Sequence, residues 1–199
     1  MGKHKHVVAG AIAIAAGLNG PPAGAQTQPS QPAQLDTGEA FYEGTTIDLQ
    51  DGWQDASVCS VYSDGATHCF DDVAQADAHA DQFYDSALDR AVAASPTLAL
   101  AGCPQNGQQH WLHLGDAADG RILRFQSMSV TQNLGDWNFA NKTDRYWNQL
   151  NCNATGYDAP NGGGDRFQFM VANSGNTRDL PDNWKNRFDS IRIHQPPAA

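Results

Sequence analysis

The chain reads as a mainly β protein made of two related halves, exported from the cell and cross-linked by disulfides. Three observations carry this. First, a stretch of about 45 residues occurs twice: RILRF at 121–125, Leu134-Gly135-Asp136-Trp137 and Asn141-Lys142-Thr143-Asp144 are matched by DRFQF at 165–169, Leu180-Pro181-Asp182 with Trp184, and Asn186-Arg187-Phe188-Asp189. Leu134 and Leu180 are 46 residues apart, and Asn141–Asn186 and Asp144–Asp189 are each 45 apart. A repeat of this length is one supersecondary unit that cannot bury its own apolar face, so two copies are expected to pack together. Second, the strand-like segments alternate: Phe167, Phe169 and Val171 point one way and Arg166, Gln168 and Met170 the other, while Ile191 and Ile193 alternate with Ser190, Arg192 and His194. Third, all four cysteines follow an N-terminus of export type.

Residues 1–25 carry that signal. Lys3 and Lys5 give a positive start, Val7 to Leu18 is an apolar run too short to span a bilayer, and Ala23-Gly24-Ala25 is a small-x-small cleavage pattern. A mature chain beginning near Gln26 is expected to work outside the cell. Residues 26–38 are polar and Pro-containing and read as a flexible linker.

Residues 39–96 read as a β-hairpin followed by an amphipathic helix. In CSVYSDGATHC a three-residue loop, Ser63-Asp64-Gly65, sets Cys59 opposite Cys69, with Gly65 supplying positive φ. Four cysteines allow three pairings. The hairpin selects Cys59–Cys69 and leaves Cys103–Cys152, rings worth about 3 and 4 kcal/mol in the chain-entropy model. Asp71 and Asp72 are N-cap candidates for a helix over 73–94, with Val73, Ala76, Ala80, Phe83, Ala87 and Ala91 on one face. Asp77, Asp81, Asp85 and Asp89 fall on the other and read as a solvated stripe. Ser95-Pro96 ends the helix. Residues 98–195 hold the repeat, in which Gly120 and Gly162-Gly163-Gly164 mark tight turns before strands.

The repeat resembles the βγ-crystallin motif over about residues 103–193. Each unit has an aromatic start (Trp111, Tyr157), glycine before a strand and an Asx-rich segment before its last strand, and Asn151-Cys152 is similar to a segment of exported bacterial members. The resemblance implies a double Greek-key sandwich with Trp137 and Trp184 in or near the core. It also implies weak calcium binding by paired loops, Ala140–Arg145 and Lys185–Ser190, with Asn141, Asp144, Asn186 and Asp189 as ligands. Asp144 and Asp189 stand where a hydroxyl is usual, and Lys142, Arg145, Lys185 and Arg187 bring four cations beside them. A like-charge contact at such range costs about 4 kcal/mol per unit charge at an effective dielectric near 20. The competing expectation is therefore that Lys or Arg pairs with the aspartates in the ion's place. Secreted metalloproteinase inhibitors share this fold, which makes peptidase inhibition the alternative function.

The chain has 22 acidic and 12 basic residues, a formal charge of −10; removing Lys3 and Lys5 gives −10 − 2 = −12. Such acidity disfavours nucleic acid and anionic membranes as partners and leaves cations as ligands. No catalytic constellation is legible. His110 and His113 would face opposite sides of a strand, His68 and His79 read as single histidines, each at the surface or satisfied, and Ser174 lies outside any nucleophile-elbow pattern. Trp147, beside Tyr146 in an alternating strand, is the aromatic contact candidate. The expectation is a secreted, monomeric, non-catalytic binding or protective module with an extracellular protein or polysaccharide as partner.

Overall fold

The computed structural model describes residues 38–94, 111–126, 130–150, 152–171 and 176–194, without the side chains of 84–94. Most of the signal and linker assignments, Cys103, His110 and Ser174 lie outside these. The described chain is mainly β, with twelve strands in two sheets and one helix, an arrangement compatible with a β-sandwich. No helix among the described residues is long and apolar enough to cross a membrane.

Four short strands come first: β1 (Glu39–Tyr42), β2 (Thr45–Asp48), β3 (Val58–Val61) and β4 (Thr67–Phe70). β3 and β4 form the expected hairpin, with Cys59 opposite Cys69 and a disulfide between them. Gly65 has φ +90° and its N–H donates to the Tyr62 carbonyl at 3.0 Å, so only a residue without a Cβ closes this turn without strain. The helix α1 (Val73–Ala94) starts where the sequence places it. The Gln75 N–H donates to Asp72 Oδ1 at 2.8 Å, the side-chain cap of an otherwise unsatisfied first turn.

The first repeat supplies β5 (Leu112–Gly115), β6 (Ile122–Phe125), β7 (Thr131–Asn133) and β8 (Arg145–Asn148). The second supplies β9 (Ala154–Tyr157), β10 (Arg166–Phe169), β11 (Arg178–Asp179) and β12 (Ser190–Ile193). The third strand of each repeat leaves its own sheet. β7 pairs with β12, in the order β10-β9-β12-β7, and β11 pairs with β8, in the order β11-β8-β5-β6. The larger sheet continues through β3, which runs parallel to β6, into β4, β1 and β2. Residues 39–70 and the repeat thus contribute to the same eight-stranded sheet.

One core lies between the sheets. Leu112, Leu114, Leu123, Phe125 and Tyr146 from one meet Ala154, Phe169, Ile191 and Ile193 from the other, and Leu49 and Trp53 of the β2–β3 connection and Cys59 of β3 belong to the same cluster. Trp137 is buried and Trp184 packs against the cluster, as expected. Gly156 lies in the middle of β9 opposite Ile191 and Phe167. A Cβ there would meet the Phe188 ring at 2.7 Å and the Phe169 ring at 3.0 Å, so the packed aromatics require glycine at this place. Cys152 is disulfide-bonded.

Candidate functional site

The four residues nominated as ligands come together in two reciprocal pairs. Asn141 Nδ2 donates to Asp189 Oδ1 at 2.9 Å, and Asn186 Nδ2 donates to Asp144 Oδ1 at 2.9 Å. The backbones follow the same exchange: the Asn141 N–H donates to the Phe188 carbonyl at 2.8 Å and the Asn186 N–H to the Thr143 carbonyl at 2.9 Å. Both asparagines are left-handed, with φ +57° and +53°, a conformation Asn tolerates better than most residues. Each half therefore lends the other an Asn and an Asp in matching positions.

The cations do not take the place expected of them. Lys142 Nζ turns to the Asn138 carbonyl at 2.7 Å, Lys185 pairs with Asp182 at 2.7 Å, and Arg187 pairs with Asp158. The Arg145 side chain lies over Gly115, where a Cβ would stand 2.8 Å from its Cγ. The partners of Asp144 and Asp189 are amides. The physical reason is reach: an Asn in the left-handed conformation on the facing loop presents its N–H directly, whereas Lys142, Lys185 and Arg187 meet other oxygens.

Calcium takes six to eight oxygen ligands. Asp144 already accepts from Asn186 on Oδ1 and from the Ala117 N–H on Oδ2 at 2.9 Å. The residues fit calcium only if the two amides turn, because as placed they present N–H groups to the carboxylates. Among the described residues no cluster of three or more His, Cys, Asp or Glu forms a metal-binding group.

A second constellation escaped the sequence reading. Strand register aligns Phe41, His68, Ser60, Arg124, His113 and Trp147 in one row across β1, β4, β3, β6, β5 and β8. Helix α1 lies against this face through buried Ala76 and Ala80 and partly buried Phe83. Arg124 is fully buried. Its Nε donates to Ser60 Oγ at 2.6 Å, its Nη1 to Asp77 Oδ1 at 2.5 Å, and its guanidinium lies 4.4 Å from the Trp111 ring centre. Its Nη2 is buried with no hydrogen-bond partner among the described residues. Asp77 is exposed, as the helical spacing predicts, and is at the same time the counter-ion of a buried arginine. Nothing in the periodicity reveals that second role, because the arginine is 47 residues away.

His68 and His79 are not single. The His68 and His79 rings lie 4.4 Å apart, and the Tyr62 hydroxyl and His79 Nδ1 share a hydrogen bond of 2.7 Å. Burial, and then the neighbouring His79, push His68 down to about 4. Burial, and then the Arg124 charge, lower His79. His113 stacks on Trp147 at 4.9 Å and hydrogen-bonds Gln149 Oε1 through Nε2 at 2.8 Å. Burial pushes it down to about 4, against the opposing pull of that bond. Trp147 is accordingly half-buried on this face, opposite core-facing Tyr146, and its indole N–H is buried without a partner among the described residues. The Ser60 hydroxyl accepts from Arg124, so the row as built joins helix to sheet.

No family model, curated protein or solved structure matches this chain.

Proposed function

We propose that the chain is an exported, non-catalytic βγ-crystallin-like module, with two Greek keys closed on each other, serving as a monomeric extracellular binding or protective unit. The observation that carries this reading is the reciprocal exchange of third strands, β7 into the second half's sheet and β11 into the first's. Such an exchange makes each half incomplete without the other, which suits a unit built to persist outside the cell. The matching Asn–Asp pairs, and a disulfide compatible with an oxidising compartment, agree with it. Weak calcium binding belongs to the same proposal: turning the Asn141 and Asn186 amides by 180° would exchange their N–H groups for carbonyl oxygens beside Asp189 and Asp144.

The test is turnover. The purified protein, offered plant, fungal and bacterial polysaccharides and denatured protein, should release no product while retaining a ligand when immobilised. Catalytic product release that scales with enzyme concentration would overturn the reading. Calcium is tested by a melting scan with the ion and with chelator, where an ion held at 100 times its dissociation constant adds about 2.7 kcal/mol. An unchanged midpoint would remove calcium and leave the module.

A second reading, peptidase inhibition, is favoured by one observation. The hairpin tip Ser63–Gly65 is exposed, braced below by the Cys59–Cys69 disulfide and internally by the Ala66 N–H donating to Asp64 Oδ1 at 3.0 Å. A rigid projecting loop loses little entropy on entering a protease cleft. Stoichiometric loss of activity in a panel of secreted metalloproteases, abolished by substitutions at 63–65, is the expected result of that reading. A panel left fully active would discard it.

A further inference from the structure

The outer face of the smaller sheet has a composition unlike the rest of the chain. Register places Arg166 beside Tyr157, and Gln168 beside Thr155 beside Arg192, on the side opposite the core residues Phe169, Ile191 and Ile193. His194 and Asn153 extend this face. Thr155 Oγ1 and His194 Nε2 share a hydrogen bond of 2.8 Å that ties neighbouring strands across the floor. Between them opens a groove of about 440 Å³ lined by Asn153, Thr155, Tyr157, Arg166, Gln168 and His194. That is within the range of small-ligand clefts, roughly 300–1,000 Å³.

Its charge runs against that of the molecule. The chain carries a net −10, yet the strand residues facing outward here, from Thr131 to Arg192, include two arginines and no carboxylate. The ion pairs among the described residues involve Arg121, Arg124, Lys185 and Arg187; neither Arg166 nor Arg192 is in one. Both are exposed. A guanidinium is always charged and matches a carboxylate in bidentate fashion. Tyr157 adds a ring with an apolar face and a polar tip, and Gln168, Asn153 and Thr155 add short donors and acceptors. Among the described residues no aliphatic side chain lines the groove, which fits hydroxyl-rich rings better than the side chains of a peptide.

We infer that this groove binds an acidic saccharide, a uronate-containing oligosaccharide whose carboxylates meet Arg166 in the groove and Arg192 beside it on β12, while its hydroxyls meet Gln168, Asn153 and Thr155. The inference rests on the non-catalytic module reading and names its ligand class. The mature full-length protein is titrated calorimetrically with tri-galacturonate, with the methyl ester of the same sugar, and with a short poly-glutamate peptide. Tri-galacturonate should bind, and the ester should bind at least about tenfold more weakly, the value of one lost charge-assisted contact. Arg166→Gln and Arg192→Gln should each weaken binding about tenfold with an unchanged thermal midpoint, and Tyr157→Leu should weaken the sugar while sparing the salt dependence. Equal affinity for acid and ester, indifference to both arginine substitutions, or preference for the peptide would overturn the inference. Chromatography of the sugar after titration separates the two readings: shortened chains would end the non-catalytic reading and keep the groove, whereas intact, unbound sugar would end the groove and keep the module.

Discussion

Arg124 holds a full charge with no exposed surface, and its carboxylate partner among the described residues, Asp77, is itself about half exposed. Breaking a buried pair by removing one partner leaves an uncompensated charge, at a cost near 3–5 kcal/mol when both are buried. Water can partly replace Asp77, so Asp77→Ala should cost less, about 1–3 kcal/mol. The double change Asp77→Ala with Arg124→Met should recover part of that loss, because the orphaned charge goes with it. Urea unfolding of the parent, Asp77→Ala, Arg124→Met and the double variant measures the coupling; a silent Asp77→Ala would mean the pair does not hold the helix. His113 supplies a pH dependence of definite sign. Its folded value is about 4 against about 6.5 unfolded, so between these the unfolded chain binds more protons. Stability from this group is complete above about pH 6.5 and falls as pH drops, by roughly 3 kcal/mol at pH 4. His68 shifts the same way and adds to the slope, with more screening because it is less buried. His113→Phe should flatten the urea midpoint between pH 6.5 and 4.5 relative to the parent; an identical slope in both proteins would assign the acid sensitivity to other groups.

At the scale of elements, local patterns were legible where short-range chemistry decides. The CSVYSDGATHC hairpin, the Asp72-capped helix and the alternation along β10 and β12 each need only neighbours in sequence, and each formed as read. The paired loops were legible in part. Repeat spacing gave the four residues, but not the fact that asparagine amides would be the aspartates' partners, since rotamer reach is not encoded in spacing. A substitution series separates the two jobs of Asn186. Its amide bonds Asp144, and its φ of +53° suits Asn or Gly. Asn186→Gly removes only the bond and should cost about 1 kcal/mol. Asn186→Ala removes the bond and adds left-handed strain, for roughly 2 kcal/mol in all. Equal costs for the two, read from thermal midpoints, would show that strain plays no part; a harmless Asn186→Gly would show that the cross-loop bond does not stabilise the closure.

At the scale of the whole molecule, the sequence suggested a boundary near residue 97, because the repeat begins beyond it and the helix ends before it. Periodicity cannot reveal which strand edges meet, and β3 pairs with β6 in parallel across 64 residues of sequence. The consequence is a shared core. Trp53 stacks on Phe139 with ring centres 5.5 Å apart, and its indole N–H donates to the Trp137 carbonyl at 2.8 Å. The Trp137 indole N–H in turn donates to Thr67 Oγ1 at 3.1 Å. The repeat therefore depends on the N-terminal strands for two of its buried aromatics and for one sheet edge. Expressed alone, residues 98–195 would expose Trp137, Phe139 and the unpaired edge of β6, and an apolar open edge templates association. That fragment should be aggregated or lack fixed tertiary packing, with weak near-ultraviolet circular dichroism and collapsed amide dispersion. The chain from residue 38 onward should give sharp, dispersed spectra. A monomeric fragment 98–195 with native-like dispersion would show that the repeat closes on itself and that β1–β4 are an accessory; an aggregated one would make the eight-stranded sheet the unit of folding.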